Sequence, residues 1–61
     1  MEPPRNREII RRLEREGFMK VRDKGGRRIF RKGNLVVTLH GKDDDRPKKG
    51  TYAAITRQAG W

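Results

Sequence analysis

A Gly33-Asn34 pair stands between two runs of strand-forming residues, and this short stretch constrains the fold more than any other part of the chain. Gly-Asn is a two-residue turn signal, and such a loop joins neighbouring antiparallel strands. Beyond it, Leu35, Val37 and Leu39 alternate with Val36, Thr38 and His40. The strand from Asn34 to His40 therefore buries one side and shows the other. Before it, Arg27 to Lys32 holds Ile29 and Phe30. A two-residue loop sets Lys32 opposite Leu35, and counting outward sets Phe30 opposite Val37, Ile29 opposite Thr38 and Arg27 opposite His40. A three-residue loop would pair Ile29 with Val37 and separate Arg27 from His40. Phe30, the larger apolar group, favours the first register.

The remaining elements follow from the same kind of signal. Gly25-Gly26 marks a second turn, joining Arg27 to Lys32 to an earlier strand from Met19 to Asp23 that contains Val21. Upstream, Ile9, Ile10 and Leu13 share one helical side and Glu8 sits four residues before Arg12, which predicts a helix from Asn6 to Glu16. Asn6 is its expected cap, Pro3 and Pro4 block extension, and Gly17 ends it. Phe18 and Met19 are expected to lead back to the core. Downstream, Gly41 to Gly50 reads as a loop carrying Asp43, Asp44 and Asp45. A second helix follows, capped by Thr51, with Tyr52, Ile55 and Ala59 on one side and Gly60 at its close. Trp61 either folds back on the core or is exposed. The order is α-β-β-β-α over residues 1–61, a single α+β domain with a three-stranded antiparallel sheet. Two helices cover one sheet face and leave the other open to a partner.

Composition says what that partner is. Among 61 residues, 17 Lys or Arg against 8 Asp or Glu give a formal charge of +9, and only 31% of the chain is hydrophobic. A chain this short buries only about 60% of its unfolded surface, so the core is thin and a deep substrate cavity is excluded. Cysteine is absent, which removes disulfides, thiolate metal sites and a Cys nucleophile. No apolar run approaches a membrane span and the first residues lack a signal-peptide stretch, so a cytoplasmic location is expected. So high a positive charge suits a polyanion, and nucleic acid is the default. From Lys20 to Lys32, seven basic residues face Asp23 alone.

Within that background a few positions carry chemistry. Lys48 and Lys49, just before the second helix, with Thr51 at its start, form an expected phosphate site, because a helix N-terminus offers free N–H groups. The Gly25-Gly26 turn lets backbone approach a phosphate, with Lys24, Arg27 and Arg28 beside it. His40 is the only side chain whose ordinary pKa lies near neutrality, hence the one candidate for acid–base work. Beside it, Arg27 would stabilise charge building on a phosphoryl group while His40 moves the proton of an attacking 2′-hydroxyl. The Asp run reads as a solvated loop, and neither a metal nor another cofactor is expected.

Taken in order, "IIRRLEREGF", "KGGRRIF", "VVTLHG" and "KKGTYAAITRQAGW" resemble the HicA-type toxins, small messenger-RNA interferases of toxin-antitoxin pairs. The resemblance spans nearly the whole chain, and the last segment is its most specific part. It implies a fold similar to the double-stranded RNA-binding domain, cleavage of mRNA, and a HicB-like antitoxin that covers the active face. In that family a His follows the glycine turn and is catalytic; here Arg27 stands in its place. Arginine, with a pKa above about 12, does not act as a general base at neutral pH. His40 matches a second His often found at the end of the family's third strand, and the loop from Gly41 to Lys49 is longer than usual. Three functions follow as expectations: an RNA-cleaving toxin using His40 and Arg27, a catalytically inactive RNA-binding module on the same fold, and a plain nucleic-acid binder unrelated to toxins.

Overall fold

The structure is a computed structural model and describes residues 2–61. Its elements run α1 (Asn6–Arg15), β1 (Met19–Lys24), β2 (Arg27–Lys32), β3 (Leu35–His40) and α2 (Lys49–Ala59). The sheet is antiparallel with strand order β1-β2-β3. This is the expected α+β order.

The β2–β3 register is the one that a two-residue turn dictates: Lys32 opposes Leu35, Phe30 opposes Val37, Ile29 opposes Thr38 and Arg27 opposes His40. Gly33 has φ 58 and Asn34 a negative φ, the sign pattern of a type II′ turn, whose twist matches that of the strands it joins. At the other turn Gly25 and Gly26 both have positive φ, 60 and 76, as a type I′ loop requires, and Lys24 opposes Arg27. A side chain at either position would be strained. β1 is one residue longer than the sequence suggests. Between Lys20 and Arg22 the β1–β2 register shifts, leaving Val21 as an extra, bulged residue.

Phe30, Val37 and Leu39 point to one side of the sheet and pack with Ile9 and Leu13 of α1, Phe18, and Ile55 and Ala59 of α2. Tyr52, Ile10 and Trp61 cover the margin of this cluster. β1 contributes nothing to it, since all six of its residues are exposed. Met19 was expected to lead into the core; it is 72% exposed, and Phe18 alone makes that turn inward. The bulge and the edge position of β1 explain the difference, because no helix lies over that strand.

Both helices end the same way. After α1 the Phe18 N–H donates to the Leu13 carbonyl and the Gly17 N–H to that of Glu14; after α2 the Trp61 N–H donates to Thr56 and the Gly60 N–H to Arg57. Each is a Schellman closure, and each sends an aromatic ring back toward the core. Trp61 does fold back. Its Nε1 donates to Glu16 Oε1 at 2.7 Å, and the Arg12 guanidinium stacks 3.9 Å from the ring centre.

The helix starts differ from expectation. Asn6 does not cap α1 with its side chain; it is the first helical residue, buried, and turned inward. The free N–H groups of α1 are met instead by the acidic loop: Asn6 N–H donates to the Asp45 carbonyl (2.9 Å) and Arg7 N–H to the Asp43 carbonyl (3.0 Å). Three carboxylates at a helix N-terminus also complement its positive end. Nor does Thr51 cap α2. That helix begins at Lys49 behind an extended Lys48, whose carbonyl accepts the Tyr52 N–H at 2.8 Å, so Thr51 lies inside the first turn.

Two outcomes are expected of this packing. Hydrogen bonds from Arg12 and then Trp61 hold the Glu16 carboxyl below its ordinary value of 4.5. A depressed carboxylate stabilises the fold at pH above that value and loses its effect as pH falls through its lowered pKa. The fluorescence of Trp61, the only tryptophan, should therefore change with a midpoint below 4.5, and Glu16→Gln should remove that step; a midpoint at or above the ordinary value contradicts the tie. Phe30→Ala should cost about 3–5 kcal/mol. That matches the whole stability expected of so small a domain, roughly 0.05–0.15 kcal/mol per residue, and circular dichroism should show it largely unfolded at 25 °C.

Candidate nucleic-acid interface

The face opposite the core carries Arg27, Ile29 and Arg31 from β2 and Val36, Thr38 and His40 from β3, because strand side chains alternate. Met19, Arg22 and Lys24 of β1 join it through their pairing with Arg31, Ile29 and Arg27. Neither helix covers this face.

Arg27 and His40 meet as directly opposed residues. The Gly41 N–H donates to the Gly26 carbonyl at 2.8 Å, so the next pair outward is hydrogen-bonded and the Arg27–His40 pair is of the other, closer kind. Their side chains line one open depression with Arg22, Lys24 and Gly25. A second depression adjoins it, lined by Thr38, His40, Ile55, Gln58 and the first-turn residues Gly50 and Thr51 of α2. His40 belongs to both, and no carboxylate lines either.

The charges sort by face. Ion pairs among the described residues join Arg7 to Asp44, Arg12 to Glu16, Lys20 to Asp23, Arg28 to Asp43 and Arg46 to Glu2. None involves Arg22, Lys24, Arg27 or Arg31. Four cations thus stand uncompensated on the open face, where their mutual repulsion favours an incoming polyanion.

Of the residues expected to form the site, Lys24, Gly25, Arg27 and His40 share one depression, and Thr51 lies across His40 in the other. Gly26 closes the turn and accepts from Gly41. Arg28 points the opposite way. Only 15% of its side chain is exposed, and it bonds the Asp43 carboxylate and the Gly41 carbonyl. That bond and charge, with Arg7 and Lys20 further off, hold the Asp43 carboxyl below its ordinary value of 3.8. Lys49 also turns away, toward Pro3, Pro4 and Tyr52 on the far side of α2, while Lys48 lines neither depression. α2 begins without an acidic residue in its first turn and without a side-chain cap.

Arg22 was not among the expected site residues. The Gly25-Gly26 turn held the signal, since a two-residue loop there sets Arg22 opposite Ile29 and on the side of Arg27. Thr38, Gly50 and Gln58 join only through the packing of α2 along β3, where Gln58 Oε1 accepts the edge Thr38 N–H at 3.3 Å. The three loop aspartates diverge to Arg28, Arg7 and the Lys42 N–H. Among the described residues no three His, Cys, Asp or Glu side chains gather as metal ligands. No helix among them is long and apolar enough to cross a membrane.

No curated protein matches the chain at a significant level. Residues 7–61, which take in α1 from its second residue, all three strands and α2, match the family model described as the HicA toxin of bacterial toxin-antitoxin systems. With its fold, its turn-positioned basic face and a match over nearly its whole length, the chain belongs to the HicA toxin family.

Proposed function

We propose that this chain is an RNA-cleaving toxin that holds the RNA backbone across its open sheet face, with His40 as the acid–base group and Arg27 as the electrostatic stabiliser. The observation that carries the reading is the place of His40, shared between a depression lined by Arg22, Lys24 and Arg27 and one lined by the first turn of α2. A phosphodiester lying across both would meet guanidinium groups on one side and helix N–H groups on the other. His40 takes the proton of the 2′-hydroxyl, the 2′ oxygen attacks the adjacent phosphorus, and Arg27 stabilises the added charge. The bond from phosphorus to the 5′ oxygen then breaks, that oxygen takes a proton from water, and a 2′,3′-cyclic phosphate remains.

Lys24, Gly25 and Thr51 are assigned to backbone contacts, and Arg22 joins them. Lys48 and Lys49 flank the entry to α2 and draw phosphate electrostatically rather than by direct contact. Messenger RNA is the substrate class that the family suggests. Membership of the family implies an antitoxin partner. A HicB-like antitoxin would cover the same face, where Met19 (72% exposed) and Val36 (45%) supply apolar surface next to the cations.

One feature of the chain favours a second reading. Arg27 occupies the position where the family resemblance places a catalytic His, and an arginine moves no proton at neutral pH. In that reading the chain binds RNA and antitoxin without cutting. The two are separated by substitution. His40→Ala should lower cleavage of a labelled single-stranded RNA by about 100- to 10,000-fold while RNA is still bound; full cleavage by that variant overturns the His40 assignment. If Arg27→His creates cleavage in a chain otherwise inert, the binding-only reading stands.

Salt dependence tests the face itself. Arg22→Gln and Lys24→Gln should each reduce the slope of log affinity against log salt by about 0.7 on single-stranded RNA. Arg11→Gln and Arg15→Gln, on the exposed side of α1, should leave it unchanged. Equal effects from both pairs would place the RNA elsewhere.

A further inference from the structure

Directly behind the candidate site lies the one buried polar residue among those described. Asn6 is 1% exposed, and its Nδ2 donates to two backbone carbonyls, of His40 at 2.8 Å and of Lys42 at 2.9 Å. The carbonyl between them, of Gly41, accepts from Arg28 Nη2 at 3.1 Å. Three successive carbonyls are thus held by two side chains, one from α1 and one from β2. The N–H groups of the segment are held too, that of Gly41 by the Gly26 carbonyl at 2.8 Å and that of Lys42 by Asp45 Oδ2 at 2.8 Å.

The chemistry of this clamp selects its residue. Two diverging carbonyls need two N–H donors on one short side chain; an amide has them, an ionised aspartate has none, and a serine has one. A buried amide left without partners is costly, so Asn6 and the segment it holds fix each other. Arg28 in turn is held by Asp43. The clamp lies on the core side of the sheet, and the imidazole of His40 projects from the opposite side toward Arg27 and α2.

We propose that Asn6 is a positioning residue of the His40 site, with Arg28 as its second arm: they fix the backbone of residues 40–42 so that the imidazole stays between Arg27 and the first turn of α2. The effect on cleavage rests on the function proposed above. The effect on His40 itself does not.

The experiment uses the full chain, isotope-labelled, as wild type and Asn6→Ala, with Trp61 fluorescence confirming that the α1–α2 closure is intact. His40 is the only histidine, so its ring signals are read without ambiguity. In Asn6→Ala those signals should shift and broaden, and the Gly41 amide should exchange with solvent about tenfold faster, as expected from losing a hydrogen bond or two. The turn at Gly33 should keep its wild-type signals. If the wild type cleaves RNA, kcat should fall about 100-fold with KM nearly unchanged. Asn6→Ser, which keeps one donor, should recover part of both effects and serves in place of the alanine variant if that variant does not fold; Arg28→Gln reads the second arm. Unchanged His40 ring signals and unchanged Gly41 exchange in a folded variant overturn the proposal, as does an unchanged kcat where the wild type is active. A wild type that cuts no RNA counts against the proposed activity alone, and the spectroscopic result then decides the positioning role by itself.

Discussion

The register between β2 and β3 is the constraint on which the rest of the structure depends. A slip of one residue would carry Phe30 out of the core and turn Arg27 and its neighbours toward it, because strand side chains alternate. The Gly33-Asn34 turn allows one pairing, and burial of Phe30 against Val37 rewards the same pairing. Core and site are therefore two readings of one register: whatever keeps Phe30 at 1% exposure also keeps Arg27 opposite His40.

Charge is organised around that division. Apart from Asp23, which pairs with Lys20 on β1, the carboxylates lie in or beside α1 and the loop that caps it. Asp43 and Asp44 pair with Arg28 and Arg7, Glu16 ties Arg12 to the C-terminal Trp61, and Glu8 accepts from the Arg5 N–H at the helix start. The exposed pairs among them, such as Arg7 with Asp44, each contribute little to stability. Their consequence is spatial. Negative charge gathers on the helical side, and the sheet face with Arg22, Lys24, Arg27 and Arg31 is left without any. Of the formal charge of +9, four units stand on that face with no carboxylate among them, whereas the other 13 Lys or Arg are set against all 8 carboxylates.

What the sequence makes legible is what local rules determine. The strands, their order, the β2–β3 pairing and both glycine-closed helix ends follow from residues close together in the chain, and so does the meeting of Arg27 with His40. The parts that are not legible depend on contacts between distant segments. Asn6 has the composition of a cap, and only the approach of residues 40–45 turns it into a buried clamp. The Asp run reads as a solvated loop, yet its carbonyls complete the first turn of α1. Arg28 looks like a phosphate contact until Asp43 and Gly41 claim it. The Val21 bulge leaves no mark in the residue pattern, so the expectation that Met19 is buried fails with it.

If RNA lies across the open sheet face around His40, nuclear magnetic resonance titration of the labelled chain with a short single-stranded RNA will map it residue by residue. The largest shifts should fall on Arg22, Lys24, Arg27, Thr38, His40, Gly50 and Thr51, with the exposed side of α1 unmoved. Shifts concentrated instead on Arg7, Arg11 and Arg15 of α1 would contradict it.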